Sequence, residues 1–489
     1  MTPHEALDST VSEIAPLVRS GQLSPVALAQ ASLDRLETVG RSLNAVATLT
    51  RDRALEEAHA AEREIAAGRY RGPLHGIPYG AKDLLATRGI PTGWGARPLS
   101  GQMFGDDATV IRRLRESGAV LVAKLAMIEL AGGLGYNTAA ASSAGATSDP
   151  WDRDRWSCGS SSGSGASTAA ALVGFSIGSE TWGSILCPSA FNGVSGLRPT
   201  YGLVPRTGAM ALSWTMDKIG PMTRSALDCG LVIDVIAGRD PGDPSSLGGK
   251  LEGDGSAAEA RTYRVGVVRP AFGKVYDREV EAAFEDAVRT LAGLGVSVSD
   301  AKLPDLPFDE TAIIVITVEA AAAFEPLITS GRVRGLVEPA TKWAGEVARS
   351  ISGVDYVRAM QVRRMIQQAF DGIFEKYDLL VSPTMPIVAS KITEKLEKAF
   401  AYPDPLGSGG NLAGLPALSL PCGFSKAGLP IGMQIVGAPL SDRRTLSLGR
   451  LYQENTDWHR RRPTITAPKS EAEDATASTK TLGSKALGD

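Results

Sequence analysis

Two serines lie in glycine-rich segments close together in the chain, at positions 160 and 184. Ser160 is the third residue of the segment 158–163, Cys-Gly-Ser-Ser-Ser-Gly, and Ser184 ends the segment 180–184, Glu-Thr-Trp-Gly-Ser. A serine hydroxyl is a weak nucleophile near neutral pH, so it needs a base that removes its proton. The two segments therefore indicate a site for nucleophilic catalysis, and the base has to come from another part of the chain.

Histidine is the commonest base for a serine, and the chain has 4 histidines, namely His4, His59, His75 and His459. One arrangement would use His459 as the base, as an α/β hydrolase uses its histidine. Residues 159–163 match the pattern G-x-S-x-G, and Asp378 and His459 follow in the order of that triad. The pattern requires a strand immediately before the serine, whereas residues 148–156 are charged and contain a proline. The sequence therefore disfavours this arrangement and leaves His75 as an alternative base.

Lysine is the other available base, and Lys82 is the candidate because it ends an apolar segment that contains Ile77 and Tyr79. A buried lysine can act near neutral pH, since burial disfavours the ammonium form and lowers the pKa. The alternative interpretation of Lys82 is an ordinary salt bridge with its neighbour Asp83. The residues alone leave both interpretations open.

Helical and strand-like patterns alternate along the chain, which predicts an α/β fold. Ser24 followed by Pro25 starts a predicted helix that reaches about Val39. Further helices are predicted at 51–67, 107–117, 226–237, 279–294 and over most of 311–375. Strands are predicted at 119–123, 265–268, 296–298, 379–382, 417–420 and 433–436. Residues 237–262 are rich in Gly, Pro, Asp and Ser, which predicts a long surface loop between two halves.

Composition narrows the class of protein. A net charge of −3 over 489 residues offers no basic surface for nucleic acid or an anionic membrane. No apolar run is long enough for a membrane span, and the N-terminus lacks a signal-peptide pattern. The 4 cysteines, at positions 158, 187, 229 and 422, show neither the density of a disulfide scaffold nor C-x-x-C spacing, which fits a reducing compartment. We therefore expect a cytoplasmic protein without nucleic-acid or membrane partners, with residues 467–489 as a disordered tail.

Six segments in order resemble the amidase signature family of serine hydrolases, and the resemblance covers about Ser24 to Pro463. Residues 76–83, Gly-Ile-Pro-Tyr-Gly-Ala-Lys-Asp, resemble the segment of the family's catalytic lysine. Residues 158–172 resemble its glycine-serine loop, and residues 178–199 resemble its nucleophile loop with the strand beyond. The segments 378–384, 411–417 and 428–434 resemble its C-terminal core signatures.

This resemblance implies one large α/β domain over residues 1–466, with a central mixed, twisted β-sheet covered by helices on both faces. It also implies a Ser-cisSer-Lys triad, in which Ser184 is the nucleophile, Ser160 relays the proton and Lys82 is the base. The backbone N–H groups of Thr181, Trp182, Gly183 and Ser184 would form the oxyanion hole. The chemistry needs no metal and no cofactor.

The chain departs from the common family pattern at both serine loops. Cys158 replaces a glycine and Ser162 occupies the fifth position of the first loop, while the second loop has Trp182 in place of a glycine and Leu186 in place of an arginine. The indole of Trp182 is expected to narrow or line the acyl pocket, and Leu186 removes a charge from the core. The candidate substrate contacts are Met127, Gly133, Trp182 and Leu186, which suggest an apolar or aromatic acyl group.

The resemblance implies an amidase that hydrolyses the C–N bond of a small carboxamide through a seryl acyl-enzyme. The alternative within the family is the glutamine-hydrolysing subunit of a tRNA-dependent amidotransferase. Its arginine segment has no evident match in residues 312–335, although Arg332 and Arg334 could bind a carboxylate. Further alternatives are ester or carbamate hydrolysis and a binding subunit without catalytic activity. The expected partners are a small-molecule amide and a second copy of the chain in a homodimer.

Overall fold

The computed structural model describes residues 1–248, 251–270 and 277–465. Thirteen strands lie in these ranges: β1 (Val46–Leu49), β2 (Pro78–Lys82), β3 (Val120–Leu125), β4 (Ser148–Asp149), β5 (Asp152–Trp156), β6 (Phe175–Glu180), β7 (Ser195–Arg198), β8 (Lys218–Thr223), β9 (Arg264–Val267), β10 (Ser297–Asp300), β11 (Leu379–Pro383), β12 (Ala417–Phe424) and β13 (Pro430–Gly437). Eleven of them form one large sheet.

The α-helices within the same ranges are α1 (Pro3–Leu7), α2 (Val11–Arg19), α3 (Pro25–Arg35), α4 (Arg51–Ala66), α5 (Thr109–Glu116), α6 (Ser162–Ala169), α7 (Leu186–Asn192), α8 (Ala226–Ile236), α9 (Arg278–Gly293), α10 (Phe308–Ala323), α11 (Glu325–Thr329), α12 (Thr341–Ala348), α13 (Gly353–Phe374), α14 (Leu396–Ala399), α15 (Pro405–Leu412) and α16 (Asp442–Glu454). A π-helical turn, Leu36–Gly40, continues α3. No helix of the described ranges combines the length and the apolar character needed to cross a bilayer.

The large sheet is mixed, and its strand order is β1-β3-β2-β6-β8-β7-β12-β13-β11-β9-β10. Strand β2 runs parallel to both of its neighbours, and β9 runs parallel to β10 and β11, whereas the central strands from β6 to β13 pair antiparallel. Strands β2, β3, β11 and β13 are buried along their whole length, because helices cover both faces. The predicted fold class is confirmed.

The connections of β2 place a crevice at its carboxyl end. The chain passes from β2 to β3 on one side of it, and β6 pairs with β2 on the other side. In open α/β sheets, a crevice forms outside the carboxyl ends of the strands where neighbouring connections diverge in this way. Lys82 ends β2 and Glu180 ends β6, so both residues are brought to this crevice.

Most elements lie close to their predicted positions, and one segment differs. The predicted helix from Pro25 and the predicted strand at 379–382 correspond to α3 and β11, while β12 and β13 are longer than predicted. Residues 148–156 were expected to lack a strand, but they contain β4 and β5, which form a separate two-stranded sheet. A short hairpin outside the main sheet accommodates the charges, since its side chains remain partly exposed. The predicted tail, 467–489, lies outside the described residues.

The close packing of α6 gives a test of the fold. A Cβ atom added to Gly163 would lie 2.3 Å from the carbonyl oxygen of Ala45 and 2.6 Å from the backbone nitrogen of Ala126. We expect Gly163→Ala to lower the free energy of unfolding by about 1–3 kcal/mol, because backbone atoms would have to move. The matched control is Gly372→Ala in α13, where a Cβ meets nothing within 4 Å. It should stabilise the helix by about 0.5–1 kcal/mol. Urea denaturation measures both, and an unchanged midpoint for Gly163→Ala would contradict the packing.

Candidate active site

Lys82 is fully buried at the carboxyl end of β2, and its amino group lies among serines. Its Nζ atom lies 2.7 Å from Ser160 Oγ, 2.9 Å from Ser161 Oγ and 2.9 Å from Ser179 Oγ. The neighbouring Asp83 lies 3.4 Å from a different buried lysine, Lys124. The alternative salt bridge between Lys82 and Asp83 is therefore replaced by contacts with hydroxyl groups.

The two predicted serines are in direct contact. Ser160 precedes α6, the peptide bond between Gly159 and Ser160 is cis, and the Ser160 hydroxyl donates to Ser184 Oγ over 2.9 Å. Ser160 is buried, whereas 8% of Ser184 is exposed. The structure thus brings the three residues of the predicted triad into one hydrogen-bonded chain, Lys82–Ser160–Ser184, with Ser184 at its accessible end.

Burial lowers the pKa of Lys82 to about 7, while the negative charges of Asp217 and Glu180 oppose the shift. A neutral amine has two N–H donors and one lone pair. The hydroxyls of Ser161 and Ser179 can accept the two N–H groups, which leaves the lone pair free to accept a proton from Ser160. The site therefore accommodates lysine in the form that a base requires.

The backbone around Ser184 presents unpaired donors. Within the described ranges, no oxygen accepts a hydrogen bond from the backbone N–H groups of residues 181–184. Gly183 has a φ of +77°, a conformation that favours glycine. A turn of this kind can direct successive N–H groups at one developing negative charge. The geometry is compatible with the predicted oxyanion hole formed by Thr181, Trp182, Gly183 and Ser184.

A buried carboxylate holds the segment that follows Ser184. Glu180 accepts hydrogen bonds from the backbone N–H groups of Ile185 at 2.8 Å and Leu186 at 3.0 Å. Arg198 lies 3.0 Å from the same carboxylate, and both side chains are fully buried. The sequence suggested that Leu186 removes a charge from the core. The structure shows that Arg198 supplies a positive charge there, so that Glu180 is neutralised.

A cavity of about 670 Å³ is lined in part by the residues that immediately precede the two serines. It reaches the chain at Gly159 and Gly183, and its lining is rich in aromatic side chains: Tyr136, Trp156, Trp182, Phe400 and Tyr402. The Trp182 indole N–H donates to Asp404 at 2.9 Å. Burial and, to a smaller extent, the nearby charge of Asp309 raise the pKa of Asp404 to about 7, while the hydrogen bond from Trp182 opposes the shift. Trp182, and hence one of the four candidate substrate contacts, is part of this wall.

The other three candidate substrate contacts lie elsewhere. Met127 is buried in the largest hydrophobic core, Leu186 packs in a second core that includes Met216, and Gly133 lies against Leu212. None of the three is among the residues that line the 670 Å³ cavity. Their assignment as substrate contacts therefore stays a prediction.

The alternative histidine bases lie apart from the serines. His75 is buried beside Glu64, its Nδ1 accepts a hydrogen bond from the backbone of Arg71, and burial lowers its pKa. The carboxylate of Asp378 pairs with Arg264. Burial lowers the pKa of His459 to about 4, in a 3₁₀ turn near the C-terminus. None of these side chains is among the hydrogen-bond partners of Ser160 or Ser184 in the described part of the chain.

Two groups of residues in the site were not predicted. Ser161 and Ser179 contact Lys82, and Asp217 accepts a 2.6 Å hydrogen bond from the Thr181 hydroxyl. The run of serines at 160–162 in the sequence could have indicated that Ser161 also contacts the lysine. Asp217 lies far from the nucleophile loop in sequence, on the segment that enters β8, so only the pairing of β6 with β8 brings it to the site.

The cysteines correct another expectation. Cys158 and Cys187 form a disulfide, with 6.0 Å between their Cα atoms, although their number and spacing predicted no disulfide. Cys229 and Cys422 are unpaired and buried. The two bonded residues are 29 positions apart in the sequence. They come together because the fold packs their two segments side by side, where Ser160 also contacts Ser184. The expectation of reduced cysteines was wrong for this pair.

Comparison with known proteins gives consistent results over most of the chain. The family profile described as Amidase matches residues 27–446. The A subunit of glutamyl-tRNA(Gln) amidotransferase from Moorella thermoacetica is 38% identical over 482 residues, which cover 93% of this chain and 98% of that protein. The crystal structure of native peptide amidase from Stenotrophomonas maltophilia is 31% identical, with a TM-score of 0.84, and covers 94% of this chain and 98% of its own.

A second solved structure, the A subunit of glutamyl-tRNA(Gln) amidotransferase from Thermotoga maritima, is 26% identical, with a TM-score of 0.77 over 94% of this chain and 98% of its own. The family match, the identity of the relatives and the shared fold agree with the serine and lysine segments described above. The chain belongs to the amidase signature family of enzymes, which act on amide C–N bonds.

Proposed function

We propose that the protein is a serine amidase in which Ser184 is the nucleophile, Ser160 relays the proton and Lys82 is the base. The observation that carries the proposal is the hydrogen-bonded chain from Lys82 Nζ through Ser160 Oγ to Ser184 Oγ, with distances of 2.7 and 2.9 Å. Each proton transfer in this chain joins atoms already within hydrogen-bond distance. The Ser184 hydroxyl is not strongly acidic, so it is activated by its position at the end of this hydrogen-bonded chain.

The reaction follows from this geometry. Ser184 Oγ attacks the carbonyl carbon of the amide while its proton passes to Ser160, and the Ser160 proton passes to neutral Lys82. The N–H groups of residues 181–184 stabilise the oxyanion. Ser160 then protonates the departing amine and regains a proton from Lys82. Water hydrolyses the seryl ester by the same relay in reverse, which releases the acid and restores Ser184.

The cavity beside the serines supports an apolar or aromatic acyl group. Five aromatic side chains line it, and the side chains of Asp309, Glu397 and Asp404 are the acidic members of its lining. No lysine, arginine or histidine is among the described lining residues. A carboxylate in the acyl group would meet acidic groups without a compensating cation, which is unfavourable. The wall therefore favours substrates without a negative charge.

The glutamine-hydrolysing subunit of a tRNA-dependent amidotransferase is the second candidate function. Sequence identity favours this second function, because the A subunit from Moorella thermoacetica is 38% identical over 93% of this chain. This function would add tRNA and other subunits as partners. The cavity disfavours it, since Arg332 and Arg334 lie outside its lining. The Arg332 side chain donates instead to the Pro98 carbonyl.

Covalent labelling tests the proposed roles of the serine and the lysine. A fluorophosphonate reacts with an activated serine, so we expect labelling of the wild type and none of Ser184→Ala. Lys82→Ala should lower the labelling rate by about 10²–10⁴-fold, because general-base catalysis contributes about that factor. Ser350→Ala, on an exposed serine after α12, is the matched control and should label as the wild type does. Full labelling of Ser184→Ala would refute the assignment.

A substrate panel separates the two candidate functions. We expect benzamide and pentanamide to be hydrolysed with a kcat/KM about 100-fold or more above that of L-glutamine, because like charges in a desolvated site cost several kcal/mol. Pentanamide is the matched control for glutamine, since it has the same chain length without the charged groups. A kcat/KM for glutamine equal to or above that for pentanamide would favour the amidotransferase function instead.

A further inference from the structure

The disulfide between Cys158 and Cys187 joins the two segments that carry the serines of the relay. Cys158 stands two positions before Ser160, and Cys187 stands three positions after Ser184. Cys187 lies in the first turn of α7, where its backbone N–H donates to the Gly183 carbonyl at 2.8 Å. The covalent bond and the Ser160–Ser184 hydrogen bond therefore tie the same two segments together at adjacent points.

The backbone at Cys158 has a conformation that favours glycine. Its φ is +63°, in the left-handed region, where a residue with a Cβ atom is held only if its surroundings fix it. The amidase signature pattern commonly has glycine at this position, and glycine would avoid the cost. The backbone conformation at position 158 therefore does not require a cysteine. The bond to Cys187 is the feature that requires one.

The disulfide is tightly packed on one side and reachable on the other. Cys158 and Cys187 belong to a buried cluster with Ile128, Trp156 and Phe191. A Cβ atom on the intervening Gly159 would lie 2.7 Å from Ile128 Cγ1, so this segment has little room to shift without moving its neighbours. Both cysteines also line the 670 Å³ cavity, through which a small thiol can approach.

We propose that the Cys158–Cys187 disulfide is a positioning element that holds Ser160 against Ser184, so that the reactivity of Ser184 depends on the redox state of this cysteine pair. The inference rests on the proposed function. Two free thiols occupy more room than a bonded pair, and the packed cluster forces the segment of Ser160 to absorb the change. A displacement of about 1 Å in such a relay lowers the rate by about 100-fold.

Reduction is a thiol–disulfide exchange with a dithiol reductant. A thiolate of dithiothreitol attacks one cysteine sulfur, the S–S bond breaks, and the second thiol of the reagent closes its own cyclic disulfide. The reductant thereby supplies two electrons and two protons, and Cys158 and Cys187 become thiols. Exchange with an oxidised disulfide reagent reverses each step and restores the bond.

The experiment compares the oxidised and the dithiothreitol-treated full chain, with free thiols counted by a chromogenic disulfide reagent. We expect the fluorophosphonate labelling rate of Ser184 and the kcat for amides to fall by about 10- to 100-fold on reduction and to recover on reoxidation. The fall in kcat should be the same for acetamide and benzamide, with little change in KM, because the relay and not the cavity wall is affected.

Variants assign the effect to this bond. Cys158→Gly removes the disulfide together with one of the two thiols that would crowd the cluster, and it relieves the left-handed backbone, so it should fold and its labelling rate should no longer respond to dithiothreitol. Cys187→Ala should behave in the same way and provides a second test if the first variant is unstable. Cys422→Ala, at a buried cysteine in β12, is the matched control and should keep the full redox response.

Several results would overturn the inference. The first is a bond that resists reduction in the folded enzyme, and the second is an unchanged labelling rate after the thiol count has shown that the bond is reduced. The third is a change confined to the KM of benzamide. The fourth is a response to dithiothreitol that persists in Cys158→Gly. Failure of the proposed function has a different signature, since the oxidised wild type would then not be labelled at Ser184 at all.

Discussion

The burial of Lys82 is the constraint on which the rest of the site depends. An ammonium group in this position would lose its hydration, so the folded protein favours the neutral amine and the pKa falls to about 7. The hydroxyls of Ser160, Ser161 and Ser179 satisfy the nitrogen without supplying a full negative charge. A carboxylate in contact with Nζ would stabilise the charged form and remove the base. The serine-rich loops therefore help to keep the pKa of Lys82 low, and they also provide the path for its proton.

The sheet provides this environment, and buried carboxylates hold its loops. Strands β2 and β6 are parallel neighbours, so that Lys82 and Ser179 meet at their carboxyl ends. Glu180, paired with Arg198, fixes the segment after Ser184, and Asp404 fixes Trp182 in the cavity wall. The Glu180 carboxylate is fully buried and that of Asp404 is partly buried, and both accept hydrogen bonds, which makes the arrangement stiff. Rigid supports of this kind hold the relay and leave specificity to the side chains that face the cavity.

Local patterns in the sequence predicted the α/β class and most helices, and they marked Ser160, Ser184 and Lys82 as candidates, because glycine-serine turns and a lysine after an apolar segment are visible within a few residues. The roles of these three residues in a relay came from the family resemblance. Local patterns could not select among the buried lysines Lys82, Lys124 and Lys218 without the family resemblance, since burial depends on the whole sheet. The contact of Trp182 with Asp404 and the disulfide of Cys158 depend on strand order and helix packing. Those long-range contacts leave no periodic signal in the sequence, so the residues that line the cavity could not be predicted from local patterns.

The pH dependence of the fluorophosphonate inactivation rate tests whether neutral Lys82 is the base, because the reagent itself does not titrate and the rate reports the base of the free enzyme. Lys82 acts in its deprotonated form, so lowering the pH through its pKa removes the base. We expect a rate that rises about tenfold per pH unit below pH 7 and is level above about pH 8, consistent with a pKa of about 7. A rate that continues to rise up to about pH 10, as for an ordinary exposed lysine, would contradict a buried neutral base.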